Sequence, residues 1–238
     1  MCGRYASSKR PEDLIDEFDI IESRVEFPIA TSYNVAPTDE TYVVMERGED
    51  PVRTLAVARW GLVPSWAKDR SIASRLINAR SESLSEKPAF RKAYASRRCL
   101  VPADGYYEWY VTSDTKAGKP VKQPFYLVPR DGGTLPMAGL YEWWPDPAKT
   151  EDDPDRWLLS CTVITTAAAD EIGMVHDRMP LVVQSEDWAD WLDPAKTDAG
   201  ALLHPAVEVG ITAYPVSTLV NNVRNDGPEL ILPLEMGA

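Results

Sequence analysis

Twenty prolines are spread over the whole length of this 238-residue chain. Each fixes its own φ and removes a backbone donor, so it interrupts a helix and is confined to the edge or end of a sheet. Such spacing predicts many short strands and loops with a few helices. Strand signals lie at Thr41–Met45, Thr54–Ala58, Arg98–Val101, Phe125–Pro129, Met137–Trp143 and Ile211–Val216, and Leu158–Thr165 (LLSCTVIT) is the best candidate for a buried strand. Helices are expected over Pro11–Phe18, with Ser7 or Ser8 near its cap, and in two short pieces between Ser81 and Ala95 interrupted at Pro88. Two more are expected over Ala167–Ile172, capped by Thr166, and Asp187–Leu192, capped by Ser185. Lys116–Lys119 reads as a polar hairpin tip and Trp144–Arg156 as an acidic, solvated loop. There is no βαβ rhythm, internal repeat or linker. One α+β domain over residues 1–238 is therefore expected, with a sheet that curls toward a barrel.

Several function classes are excluded at this stage. No apolar run approaches the roughly 18 residues of a membrane span, and the start of the chain lacks a basic stretch followed by an apolar core. Cys2, Cys99 and Cys161 are odd in number and show no CxxC spacing, so neither a disulfide framework nor a cysteine zinc site is expected, and a reducing cytoplasm is the default. Only His176 and His204 remain as imidazole ligands, so no metal is expected. GxGxxG, Walker A, HExxH and GxSxG motifs are absent, and no cofactor is expected.

The net charge of −12 argues at first against nucleic acid. Its distribution argues otherwise. Arg53 to Arg98 holds eleven Lys/Arg against three acids, a balance of +8, whereas Val111 onward holds nine basic against twenty acidic residues, a balance of −11. Such asymmetry can set a basic groove on an acidic body.

The chain opens Met1-Cys2-Gly3-Arg4-Tyr5. A small second residue permits removal of Met1, which would leave Cys2 with a thiol and a free α-amine on adjacent carbons. The amine titrates near ~7.7–8.0 and the thiol near ~8.5, so both are nucleophiles within reach of neutral pH. An aldehyde meeting this pair forms a Schiff base that closes to a thiazolidine. Glu108 lies among Tyr106, Tyr107 and Trp109, where poor solvation raises a carboxyl toward general-acid duty, but Glu142 in LYEWW has a similar setting and local context does not choose between them. His176 is a candidate proton carrier, and Arg178 two residues on could hold a phosphate. Asn78 and Arg80 share a side if the backbone is extended, an arrangement that suits a sugar oxygen beside a phosphate. Tyr33–Pro37 and Trp60–Trp66 supply rigid turns and aromatic rings that could stack on bases.

Taken together, MCGRY, SYNVAP, ARWGLVPSW, INARSE, RRCLVPADGYYEW, LYEWW, CTVITTAA, HDRMP and VNNVRNDGPEL resemble, in order and over nearly the whole chain, the SOS response-associated peptidase family. That resemblance implies an α+β domain whose bifurcated mixed sheet forms a pseudo-barrel with flanking helices. It implies covalent capture of abasic sites in single-stranded DNA, with lyase and peptidase activities alongside. Cys2 is then the nucleophile, Glu108 and His176 the proton carriers, and Asn78 the residue that positions amine and sugar. Arg80 and Arg178, joined by Arg4, are the implied phosphate ligands, and Asn34, Pro37 and Trp66 the implied lining of a DNA channel. A cytoplasmic protein, at the nucleoid when bound to damaged DNA, is expected. The rival reading is an N-terminal-cysteine peptidase that removes Met1 from itself.

Overall fold

Prolines set where the strands stop. The computed structural model describes residues 2–168, 173–204 and 210–234. Along them run β1 (Tyr5–Ser7), α1 (Pro11–Glu17), β2 (Glu22–Ser23), β3 (Ser32–Val35), β4 (Glu40–Met45), β5 (Thr54–Trp60), β6 (Asn78–Arg80), α2 (Arg91–Ser96), β7 (Arg98–Ala103) and β8 (Gly105–Lys116). There follow β9 (Lys119–Pro129), β10 (Leu135–Pro145), β11 (Trp157–Ala167), β12 (Arg178–Pro180), α3 (Trp188–Leu192) and β13 (Ile211–Pro215). β9, β10, β12 and β13 each end on a proline, which has no N–H to carry the ladder further.

Five strands close into a ring. β11 pairs with β10, β10 with β7, β7 with β4 and β4 with β5, all antiparallel. The ring shuts through a short parallel pairing of β5 with β11, Arg59 opposite Ser160 and Trp60 opposite Cys161. Two residues further, β11 exchanges β5 for β6, with Asn78 opposite Val163 and Arg80 opposite Thr165. The sheet forks there, and the barrel opens beneath a second sheet of order β13-β9-β8-β1-β3. This is the α+β pseudo-barrel with flanking helices that the sequence resemblance implies.

Strand alternation sorts the side chains. Val43, Met45, Ala58, Trp60, Cys99 and Cys161 point into the ring and share one core with Cys2, Tyr5 and Tyr106 from the second sheet. Tyr42, Val44, Leu55, Leu100 and Ile164 point outward and pack on Leu14 and Phe18 around α1 and on Trp191 of α3. β11 is buried on both faces, which accounts for its unbroken apolar run. The outer face of the second sheet carries Ala6, Tyr107 and Tyr126 against Val220 and Leu230. So small a ring leaves no room at Gly139, where a Cβ would lie 2.9 Å from both Cys99 Sγ and Thr162 O.

The helices are shorter than expected. α1 is capped through Arg10 and Asp13 rather than by Ser7 or Ser8. The stretch before Pro88 is only the single 3₁₀ turn Ser81–Ser83. Thr166 and Ala167 do not cap a helix: they close β11 and pair with Met179 and Arg178, and the rest of the helix expected there lies outside the described residues. Ser185 opens a 3₁₀ turn ahead of α3 without capping it through its side chain. Among the described residues no helix is long and apolar enough to cross a membrane.

Gly139→Ala is expected to lower unfolding free energy by about 1–3 kcal/mol through overpacking. Urea denaturation checks this, and an unchanged midpoint would contradict so tight a barrel wall.

Candidate active site

The residue just before β1 enters the core where the barrel forks. Cys2 is fully buried, and Asn78 Nδ2 donates to its carbonyl at 2.6 Å. Asn78 reaches it because β6 is extended and because Trp60 Nε1 donates to Ile77 O at 2.9 Å, fixing the strand's entry. Tyr5 packs edge-on against the same indole at 4.9 Å and donates to Thr41 Oγ1. Asn78 Oδ1 is buried and has no hydrogen-bond partner among the described residues. Burial, and then the nearby Glu108 carboxylate, push the Cys2 thiol well above its ordinary range.

β8 brings Tyr106 and Glu108 to the same interior, two residues apart on one face. Burial raises the Glu108 carboxyl above the usual carboxylate range, favouring its neutral, proton-donating form. Glu142 is buried too, but it holds Arg97 Nη2 at 3.0 Å and accepts from Trp143 N. Position therefore separates two glutamates that sequence context could not: Glu108 lies beside Cys2 and Tyr106, whereas Glu142 lies against Arg97. The hydroxyl of Tyr106 escaped attention because its neighbours read as core. Burial first, then Cys2 and Glu108, raise its pKa, so it stays protonated beside both. His176 Nδ1 lies 2.9 Å from Asp177 Oδ1 and 3.0 Å from Arg178 N. Protonated, that nitrogen donates to the carboxylate; neutral, it accepts from the backbone.

The expected anion contacts divide. Arg80 is exposed beside Asn78, and Lys68, Arg70 and Arg75 are exposed on the loop leading to it, with the Trp66 ring 56% exposed. Pro37 is half-buried. Arg178 is occupied: its two terminal nitrogens hold both oxygens of Glu82 at 2.5 and 3.0 Å, and Nη2 also donates to Thr165 O. The pairing pulls the Glu82 carboxyl down to about 2, so it stays ionised across the neutral range. Arg4 Nη1 donates to Asn34 Oδ1 at 2.7 Å and to Val220 O at 3.1 Å.

Asn34 is tied into the fold. It is buried, and its Nδ2 donates to the carbonyls of Val220, Asn222 and Asn225. It fastens the 217–225 segment to β3, a long-range role that nothing in its neighbours announces. The basic surface is also smaller than the +8 balance suggests. Arg98 is buried with its donors on the carbonyls of Tyr94, Trp191 and Asp193, and Arg53 pairs with Glu46. All three cysteines are free and buried, and among the described residues no His/Cys/Asp/Glu group could hold a metal ion.

Comparison with known proteins returns consistent matches. A family model described as SOS response associated peptidase (SRAP) matches residues 1–223. An abasic site processing protein of Bacillus subtilis, YoqW, is 39% identical over 234 residues, covering 97% of this chain and 99% of the relative. The abasic site processing protein HMCES of Gallus gallus is 31% identical over 238 residues, covering 87% of this chain and 67% of the relative. A crystal structure of a Bacteroides thetaiotaomicron protein superposes with a TM-score of 0.82 at 23% identity, over 98% of this chain and all of that one. That last likeness concerns the fold alone.

Asn34→Ala strands three carbonyls and the Arg4 fork, and is expected to cost about 1–3 kcal/mol per stranded buried group at most. Amide hydrogen exchange should accelerate selectively in residues 217–225; uniform protection there would contradict the fastening role.

Proposed function

We propose that this chain, which belongs to the SOS response associated peptidase family, captures abasic sites in single-stranded DNA through Cys2 once Met1 is removed. The observation that carries the reading is the clasp on Cys2. Asn78 Nδ2 holds the Cys2 carbonyl at 2.6 Å while Asn78 Oδ1 lacks a donor among the described residues. An α-amine on Cys2 would supply that donor, and would do so beside the thiol, Glu108 and Tyr106. The names of the curated relatives, abasic site processing proteins, agree with this substrate.

The chemistry follows from the groups. An abasic sugar opens to an aldehyde at C1′ when the ring C–O bond breaks, with one proton leaving the C1′ hydroxyl and one reaching O4′. The neutral Cys2 amine adds to C1′ and a proton shift gives a carbinolamine. A protonated Glu108 delivers a proton to the departing hydroxyl, water leaves, and a C=N bond remains. The thiol then adds its sulfur to that carbon, the nitrogen keeps its one hydrogen, and the thiol proton returns to the Glu108 carboxylate as the five-membered thiazolidine closes. His176, satisfied in either protonation state, is suited to return protons between steps. The exposed Lys68, Arg70, Arg75 and Arg80 supply phosphate contacts that do not depend on base identity, and Trp66 supplies a ring for stacking.

Peptidase action is the weaker reading. It needs a thiolate, and burial of Cys2 opposes that form. A thiazolidine needs only a thiol poised against an imine.

Two outcomes test the proposal. Cys2→Ala should abolish heat-stable crosslinks to abasic single-stranded DNA on a denaturing gel; an undiminished adduct would refute thiazolidine closure. Glu108→Gln should slow single-turnover crosslinking by roughly 10²–10⁴-fold at saturating DNA, the range of general acid–base catalysis. Glu142→Gln, which only loosens Arg97, should leave that rate near the parent value, and the reverse pattern would move the proton donor to Glu142.

A further inference from the structure

The barrel has a second mouth. A cavity of about 590 Å³ opens there, lined by Arg47, Arg97, Tyr141, Trp143 and Trp157. It is remote from Cys2. Asn78 faces Val163 on β11, and Trp157 begins that strand six residues earlier, about 20 Å away at ~3.3 Å per residue. Nothing in the chemistry above uses it.

Three features define what fits. The first is the spacing of the rings. On β10 and β11, Trp143 is opposite Leu159 and Pro145 is opposite Trp157, so the two tryptophans are diagonal neighbours on one face. Diagonal positions stand ~7–8 Å apart. A ligand ring can lie against an indole there, on the face of Trp157 away from the Arg156 guanidinium, which stands 5.8 Å over that ring. The second is charge. The Arg47 guanidinium lies 5.8 Å over the Trp143 ring and forms no ion pair among the described residues, while Glu142 is already held by Arg97. The third is polarity. Trp143 Nε1 and Arg97 Nε have no acceptor among the described residues but are covered from solvent, so the exposed lining is mostly apolar with Arg47 as its free cation. An occupant that joins an aromatic ring to an anionic group fits such walls.

We propose that this mouth binds a nucleoside monophosphate, its base against the exposed Trp157 ring and its phosphate on Arg47. The proposal does not depend on the reading of Cys2. Guanidinium and aromatic groups together favour this class of ligand, because one takes the phosphate and the other any base face. Trp157 is 54% exposed, so a base can enter from solvent.

Isothermal titration of the full chain with dAMP tests it, with deoxyadenosine and inorganic phosphate titrated separately. Saturable one-site binding by dAMP is expected, at least tenfold tighter than either fragment. Arg47→Ala and Trp157→Ala, both at the rim, should each weaken dAMP about tenfold or more while leaving thermal unfolding close to the parent. Displacement of dAMP by a 5′-phosphorylated oligonucleotide, but not by its unphosphorylated counterpart, would assign the site to the end of a strand. Displacement by neither would assign it to the free nucleotide. Absence of saturable dAMP binding at millimolar concentration, phosphate binding as tight as dAMP, or indifference to both substitutions would each overturn the proposal.

Discussion

Two parallel rungs between β5 and β11 hold the rest of the arrangement in place. They shut the barrel at Trp60 and Cys161, and their early end leaves β11 free to receive β6. Trp60 then holds Ile77, Ile77 leads directly into Asn78, and Asn78 holds Cys2. Each link is a single hydrogen bond, worth little by itself. Partly buried, each is costly to leave unmade. Cys2 is thus positioned by the barrel's closure.

The sequence made the barrel legible and hid much of the site. β4, β5, β7, β10 and β11 are long enough, and buried enough, to show strand periodicity. β1, β3, β6 and β12 are only three or four residues each, too short for any period, yet Asn34, Asn78, Arg80 and Arg178 sit on them. Alternation suggests a shared side for Asn78 and Arg80 only if the backbone is extended there, and Asn34 is singled out by the family motif alone. β8 was missed as a strand because its outer half, beyond Tyr110, is polar and exposed, like the hairpin tip it leads to. Asn34 and Arg178 read as DNA contacts in their motifs, while their partners within the fold, residues 220–225 and Glu82, are too distant in sequence to be seen there. An amide and a guanidinium look alike on paper whether they serve a ligand or the fold.

Electrostatics follows the same division. The basic run from Arg53 to Arg98 contributes buried struts as well as surface cations. What remains outside includes Lys68, Arg70, Arg75 and Arg80 on the segment that leads to and includes Asn78, and Lys87, Arg91 and Lys92 beyond it. The acidic loop between β10 and β11 neutralises itself in part, since Lys149 lies 3.6 Å from both Asp153 and Asp155. A strongly acidic chain can in this way keep a small cationic zone without a globally attractive field.

Glu82 occupies the fork of Arg178 as a tethered anion, 96 residues away in sequence and always within reach. A carboxylate held this way acts at a high effective concentration, of millimolar order or above for a short tether. Any free anion seeking Arg178 competes with an intramolecular rival that diffusion never removes. Any ligand of Arg178 must therefore displace Glu82 first, and its net affinity there is lowered by the strength of the bridge it breaks.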